Sequence, residues 1–280
     1  MRRPRFGLSP WNIFWLILAA IYFLLPLYGT AEFSLETGPG KYGFTAYQAI
    51  FSQQDFRDTF WLSLKIAVAT AVLGLILMVP TTYWINLRLR QLRPVMDFFA
   101  VLPFVVPPIT LGVGILRLFT AASSQSSDVG NFFIGRPATW LLSGPQILAL
   151  TYVILALPFT YRSLDAGMRA IDLRTLTEAA QSLGASWFTI LGRVILPNLR
   201  AAILSALFLT ITLVMGEYTM ASVLLFNTFP VWLYQIGNEQ ANQAAALAVI
   251  SLVLTWAALL AIVILGGRQG RRNTQIAGAR

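Results

Sequence analysis

The sequence predicts an all-α membrane protein with six transmembrane helices. Three observations carry this. The 280-residue chain is 57% apolar and only 11% charged, and its mean hydropathy is +0.69. A soluble domain is about 45–50% apolar and about 25% charged. The apolar residues are gathered into stretches long enough to cross about 30 Å of hydrocarbon. The basic residues, which set the net charge of +9, fall mostly between alternate stretches. Disorder, a disulfide scaffold and a soluble α/β enzyme are excluded on composition.

The expected spans run from about Trp11 to Tyr28, Phe60 to Leu87, Val95 to Phe119, Gln146 to Leu164, Ala201 to Phe226 and Ala244 to Leu265. The first follows Arg2, Arg3 and Arg5 and ends in Pro26-Leu27-Tyr28-Gly29 rather than a small-residue cleavage site, so it reads as retained. With both termini in the cytoplasm, fifteen of the twenty basic residues lie inside, leaving Lys41, Arg57, Lys65, Arg117 and Arg136 outside or in spans. This is the positive-inside pattern. It accounts for the net charge by topology, with no nucleic acid as partner. The outer loops are polar. One carries the turn Gly38-Pro39-Gly40 and the other Ser123, Ser124, Ser126 and Ser127. They read either as docking surfaces or as solvated connectors.

Catalysis is poorly served. The chain has no Cys and no His, so thiolate nucleophiles, histidine bases and the commonest metal ligands are missing. A P-loop requires Gly, four residues, then Gly-Lys-Ser/Thr. Lys41 follows Gly40 but has Leu35 in the first Gly position and Tyr42 after it, and Lys65 follows Leu64. No catalytic residue, metal site or bound cofactor is expected.

The most informative segment is the long cytoplasmic loop over about 165–200. Thr175 and Glu178 have capping-box spacing, predicting a helix start. Leu176, Ala179, Ala180 and Leu183 share one helical face. Gly184 suits a positive φ stop, Ser186 an N-cap for a second helix over about Trp187–Val194, and Pro197 a break before the fifth span. The result is a helix, a glycine corner and a helix. It reads either as a surface for a partner, approached closely at Ala179 and Ala180, or as an amphipathic hairpin on lipid headgroups.

Glu178-Ala179-Ala180, three residues, Gly184, nine residues, then Val194-Ile195-Leu196-Pro197 resembles the EAA loop of type I ABC importer permeases. The likeness covers about 57–266, with the first helix at 11–29 and cytoplasmic tails at 1–10 and 267–280 outside it. It implies the MetI-like permease fold in a bacterial inner membrane. It also implies two ATP-binding cassette subunits that hydrolyse ATP with Mg, a second and similar permease subunit, and an extracytoplasmic substrate-binding protein. Glu178, Ala179, Ala180, Gly184, Leu196 and Pro197 would then couple the chain to the ATPase. Glu178 either shapes the loop or touches the partner.

Ionisable and helix-breaking residues within spans suggest a path. Glu217, beside Gly216, reads either as a pore-facing acid or as an ion-pair partner of a neighbouring basic group. Gly216 would permit close helix packing. Pro103, Pro107 and Pro108 are expected to break the third span where it lines the path, or to kink it for packing. Lys65 and Arg117 suit snorkelling, and Asp97 an interfacial arginine. Trp11, Trp15, Trp140 and Trp232 suit interface belts. The segment Leu183–Pro197 and Phe60-Trp61-Leu62-Ser63-Leu64 are most similar to spermidine/putrescine permeases, so a polyamine is the expected solute. Gly-Glu-aromatic in the fifth span also resembles permeases for sulfate, molybdate, thiamine and iron, and phosphonate remains open. A secondary transporter would show repeats and several embedded acids, and a channel a selectivity element.

Overall fold

A computed structural model describes residues 10–38, 40–123, 144–257 and 260, with side chains of 118–123 excepted. Arg2, Arg3, Arg5, Ser124, Ser126, Ser127, Arg136, Trp140, most of the tails and the end of the expected sixth span lie outside the described residues. The chain forms two units, residues 1–56 with 233–259 and residues 57–232 with 260–280.

The first unit begins with α1 (Pro10–Leu35), whose start at proline needs no amide. Its large apolar side chains, Trp11 and Trp15 among them, are exposed on all sides, as for a helix solvated by lipid. Two short antiparallel strands, β1 (Glu36–Gly38) and β2 (Lys41–Tyr42), follow, with Gly40 at φ +70° in the turn. The next helix, α2 (Thr45–Ser52), buries Ile50, and its Tyr47 hydroxyl bonds Ser34 at 2.8 Å. In the same unit Asn242 donates to the Glu36 carbonyl at 2.9 Å, and Gln53 to Gln243 at 3.1 Å. A shorter apolar helix, Ala241–Ala257, stands where the sixth span is expected.

The second unit is built on two long helices, α3 (Gln54–Leu87, its first turn in the other unit) and α6 (Gln146–Arg169). The first half of the buried face of α3 is mostly small, with Thr59, Ser63, Ala67, Thr70, Ala71 and Gly74, and the second half is larger, with Met78, Val79 and Tyr83. Small residues let backbones approach, and hydroxyls bond across the gap. Thr70 Oγ1 donates to the Ala149 carbonyl of α6 at 3.3 Å, and Ser63 Oγ accepts the Phe229 amide at 2.8 Å.

The third expected span is broken. It consists of α4 (Arg93–Val105) and α5 (Pro108–Ser123), bent by 92°. Val106 precedes a proline and is pushed to φ −87°, ψ 119°. Pro103 does not break the chain. It is buried inside α4.

The long loop holds α7 (Leu173–Ser182) and α8 (Trp187–Asn198), the latter with a π-helical turn at Ile190–Ile195. The fifth expected span opens as α9 (Arg200–Gly216), bent by 80° from α8. The bend falls at Leu199, and Pro197 lies inside the last turn of α8 instead of breaking it. That span also ends earlier than expected. Gly216 closes α9, Glu217 is extended, and a short helix α10 (Thr219–Val223) follows, then α11 (Phe229–Glu239). Leu225 closes α10 at φ +61°, in the place that usually takes glycine. Trp232 is buried against Phe229.

Among the described residues three helices, α1, α3 and α6, are long and apolar enough to cross a bilayer, or up to five spans if each bent pair counts as one. Two apolar clusters hold the second unit at opposite ends of α3 and α6. One centres on Tyr83, Leu164, Met168, Ile195 and Leu199, the other on Ala67, Leu148, Tyr152, Val214 and Met220.

Candidate functional site

Two places draw the expected site residues together: the α7–α8 corner, and the end of α9 where the chain breaks. At the corner α7 starts three residues before the expected point. Asp172 is the N-cap, and its carboxylate accepts the Thr175 amide at 3.2 Å. Bonds from the Thr175 hydroxyl and amide hold the Asp172 carboxyl below its ordinary range. The capping box between Thr175 and Glu178 does not form. Glu178 instead accepts Arg174 Nε at 2.7 Å, which raises the arginine above its ordinary value. That pair is exposed at both ends and runs Arg before Glu, the weaker order at i,i+4. It contributes little to stability and leaves both groups facing outward.

The two alanines part company. Ala180 is buried with Leu173 and Thr177 on the inner face, where the Thr177 hydroxyl bonds Tyr83 at 3.3 Å. Its surface belongs to this chain's own core, not to a close-approaching partner. Ala179 is exposed beside Glu178. Gly184 sits at φ +78° with open space around its Cα. Its amide bonds the Gln181 carbonyl at 2.8 Å, and the Ala185 amide bonds Ala180 at 3.0 Å. This double closure is the Schellman arrangement that favours glycine. On either side of the corner Leu183 is 88% exposed and Phe188 79% exposed.

The second helix of the corner is seated as expected at Ser186, which accepts the Thr189 amide at 3.4 Å. Trp187 then stacks on Trp84 of α3 with centroids 6.5 Å apart, and Arg88 lies 5.3 Å above Trp84. Leu196 packs on the core that holds Leu199, and both Leu196 and Pro197 are half-buried at the turn into α9.

Within this chain the Glu217 carboxylate is held by hydrogen bonds. One carboxylate oxygen accepts the Thr219 amide at 2.9 Å, and the other the Tyr152 hydroxyl of α6 at 3.0 Å. The Met220 amide reaches the second oxygen at 3.0 Å. The Glu217 carboxylate therefore caps the first amides of α10, and among the described residues no basic group forms an ion pair with it. Gly216 permits no close approach, since a Cβ there would meet nothing within 4 Å. The close approaches are elsewhere. A Cβ on Gly112 of α5 would lie 3.2 Å from Val223 Cγ1 of α10, and one on Gly167 of α6 only 2.4 Å from the Ala202 Cβ of α9. Gly112 thus lets α5, the half of the third span after the break, pack closely against α10. Pro107 is exposed and Pro108 half-buried at that break. Lys65 and Arg117 are exposed, in keeping with snorkelling. The arginines near Asp97 go elsewhere: Arg93 and Arg169 both pair with Asp165.

Sequence reasoning missed Asp172, Asp165 and Tyr152. The first had a signal, an aspartate three residues before Thr175. The second had one in the i,i+4 pair Asp165–Arg169. Tyr152 had none, because its partner lies 65 residues away.

Bent apolar helix pairs, a small-residue packing face and a capped corner held out from the bundle define a multi-pass membrane permease subunit. The chain belongs to the family of binding-protein-dependent transport system inner membrane components, whose pattern matches residues 79–272. It is therefore an ABC importer permease subunit, of the type I class that the EAA-like loop resembles. It is 30% identical over 230 residues to a protein of Haloferax volcanii named a probable molybdenum ABC transporter permease, covering 80% of this chain and 78% of that one. It is 29% identical over 143 residues to the spermidine/putrescine permease PotC of Escherichia coli, covering 48% and 54%. Its fold matches a chain of a bacterial alginate ABC transporter crystallised with an alginate-bound periplasmic protein. That match has a TM-score of 0.64 at 19% identity and covers 94% of this chain and 95% of that one.

Proposed function

We propose that this chain is the transmembrane permease of an ATP-driven importer that receives a small polar solute from an extracytoplasmic binding protein. Its corner at Gly184 is the seat of an ATP-binding subunit. The observation that carries this is the two-sided corner. Its inner face, at Leu173, Thr177 and Ala180, is sunk in the bundle core. Its outer face offers Glu178, Ala179, Leu183 and Phe188 around a glycine whose left-handed backbone other residues rarely adopt. A rigid corner with a bare apolar tip at Leu183 and Phe188 suits a partner groove. Leu196 and Pro197 set the angle at which the corner meets α9. Two ATPase subunits, binding ATP and Mg, and a second, homologous permease complete the assembly. Both termini face the cytoplasm of a bacterial inner membrane, with six spans in total. The path runs past the two breaks, at Pro103–Pro108 and Gly216–Glu217.

For the solute we favour a tetrahedral oxyanion such as molybdate or sulfate. A polyamine suits a free carboxylate, and that of Glu217 is engaged by Tyr152 and two amides. A probable molybdenum permease is among the relatives matched along most of their length. The likeness to PotC keeps a polyamine as the second reading.

The test is ATP-driven uptake by the complex reconstituted with its neighbouring subunits in lipid, using labelled molybdate, sulfate, putrescine and spermidine, for wild type and Gly184→Asp. Uptake of an oxyanion that needs ATP, and is lost in an assembled Gly184→Asp complex, is the expected result. Polyamine uptake would reverse the solute assignment. Uptake without ATP would refute the importer.

A further inference from the structure

A polar cluster sits at the loop end of the second unit, apart from both places described above. Asp165 of α6 is its centre, with a side chain only 4% exposed. Its carboxylate accepts Arg93 Nη2 at 2.8 Å and Asn86 Nδ2 at 2.9 Å, and pairs with Arg169 one turn on. Arg93 Nη2 also donates to Asn86 Oδ1 at 3.0 Å, so Asn86, Arg93 and Asp165 form a closed triangle. Asn86 is fixed in turn by its bond to the Thr82 carbonyl at 3.0 Å.

The placement of these residues is specific. Arg93 is the first residue of α4, the inner half of the broken third span. Asn86 lies in the last turn of α3. Arg169 ends α6, three residues before the Asp172 cap that starts α7. One buried carboxylate thus joins the start of the broken span to the start of the corner. A buried charge is costly unless paired and fully hydrogen-bonded, and replacing such a group by apolar residues is often neutral or stabilising. Apolar packing would suffice if holding helices together were the only requirement, since Tyr161, Leu164 and Met168 already pack beside it. An ionic triangle adds a directional link that transmits displacement of one member to the others.

We infer that Asp165 is a positioning residue for energy coupling: with Arg93 and Asn86 it links movement of the α7–α8 corner to the α4 half of the broken span. This rests on the importer reading above. The corner seats the ATPase, α4 leads to the break at Val106–Pro107, and the triangle is a polar connection between them.

The experiment uses the reconstituted complex and reads solute imported per ATP hydrolysed, which a loss of folded protein alone does not change. Asp165→Asn keeps the shape and removes the charge. Arg93→Met removes the partner at a position 30% exposed, where truncation is tolerated. Arg93→Lys restores the charge. Asp165→Asn and Arg93→Met are each expected to lower the ratio about tenfold with ATPase activity retained, the scale of measured site-to-site couplings. The double variant should be no worse than either single, and Arg93→Lys should recover most of the ratio. A wild-type ratio in Arg93→Met overturns the inference. So does failure of Arg93→Met to assemble, since support of the fold would then be its whole role. Wild-type uptake without ATP would instead refute the importer reading itself.

Discussion

Gly167 of α6 faces α9 at the closest approach of the two helices. A Cβ built on it lies 2.4 Å from Ala202 Cβ, 3.3 Å from Leu199 Cδ2 and 3.9 Å from Ala202 Cα. Carbon atoms rest at about 3.5–4.0 Å, so Gly167→Ala is short of room by roughly 1 Å. The Leu199 contact can yield by side-chain rotation. The Ala202 contact cannot, because its Cβ is fixed to the α9 backbone, so the helices must part. Overpacking of this kind costs about 1–3 kcal/mol. Against it stands the gain from replacing a helical glycine, about 1 kcal/mol. Gly114 of α5 isolates that gain, since a Cβ there meets nothing within 4 Å. Gly167→Ala is therefore expected to be less stable than Gly114→Ala by about 1–3 kcal/mol. At about 2–4 °C per kcal/mol for a chain of this size, the separation in melting temperature of the purified complex is several degrees. Adding Ala202→Gly removes the atom in the way and should restore most of the loss. A Gly167→Ala variant that melts with or above Gly114→Ala would refute the reasoning, as would Ala202→Gly failing to rescue it.

Two further outcomes follow from the same geometry. Glu217→Gln keeps the size of the cap but replaces one accepting oxygen by a donor that faces the Thr219 or Met220 amide or the Tyr152 hydroxyl. It should cost about 1–3 kcal/mol, read as a lower melting temperature, and Tyr152→Phe added to it should cost little more. Full additivity of the two would show that they do not act through one bond. At the corner, the Asp172 carboxyl lies lower folded than unfolded, so its contribution is complete above the unfolded value, near pH 4, and fades as pH falls through the folded one. Hydrogen exchange at the Thr175 amide should be slow at pH 7 in wild type and faster in Asp172→Ala. Equal protection in the two would remove Asp172 as the cap.

The corner was legible in the sequence because its geometry is local. A positive φ at Gly184 and a cap at Ser186 are set by residues within three or four positions, and spacing alone reports them. Even there, competition between two local caps decided the start of α7. Asp172 took the Thr175 amide, and Glu178 turned to Arg174. The break at Val106–Pro107 was legible in part. Three prolines marked the region, but the chain leaves the helix only at Val106 and Pro107, each followed by a proline, while Pro103 is absorbed in α4.

Hydropathy, charge placement and the loop's spacing thus determined by themselves that this is a helical membrane protein of the permease family, because lipid leaves apolar helices as the economical fold for such a chain. The tertiary structure decided what the polar groups inside that fold do. A buried carboxylate takes whatever donors the neighbouring helices bring within about 3 Å. Across helices, Glu217 finds Tyr152, and Asp165 finds Asn86 and Arg93. No spacing along the chain encodes those meetings, which join residues 65 to 79 positions apart and exist only once α3, α4, α6 and α9 are packed.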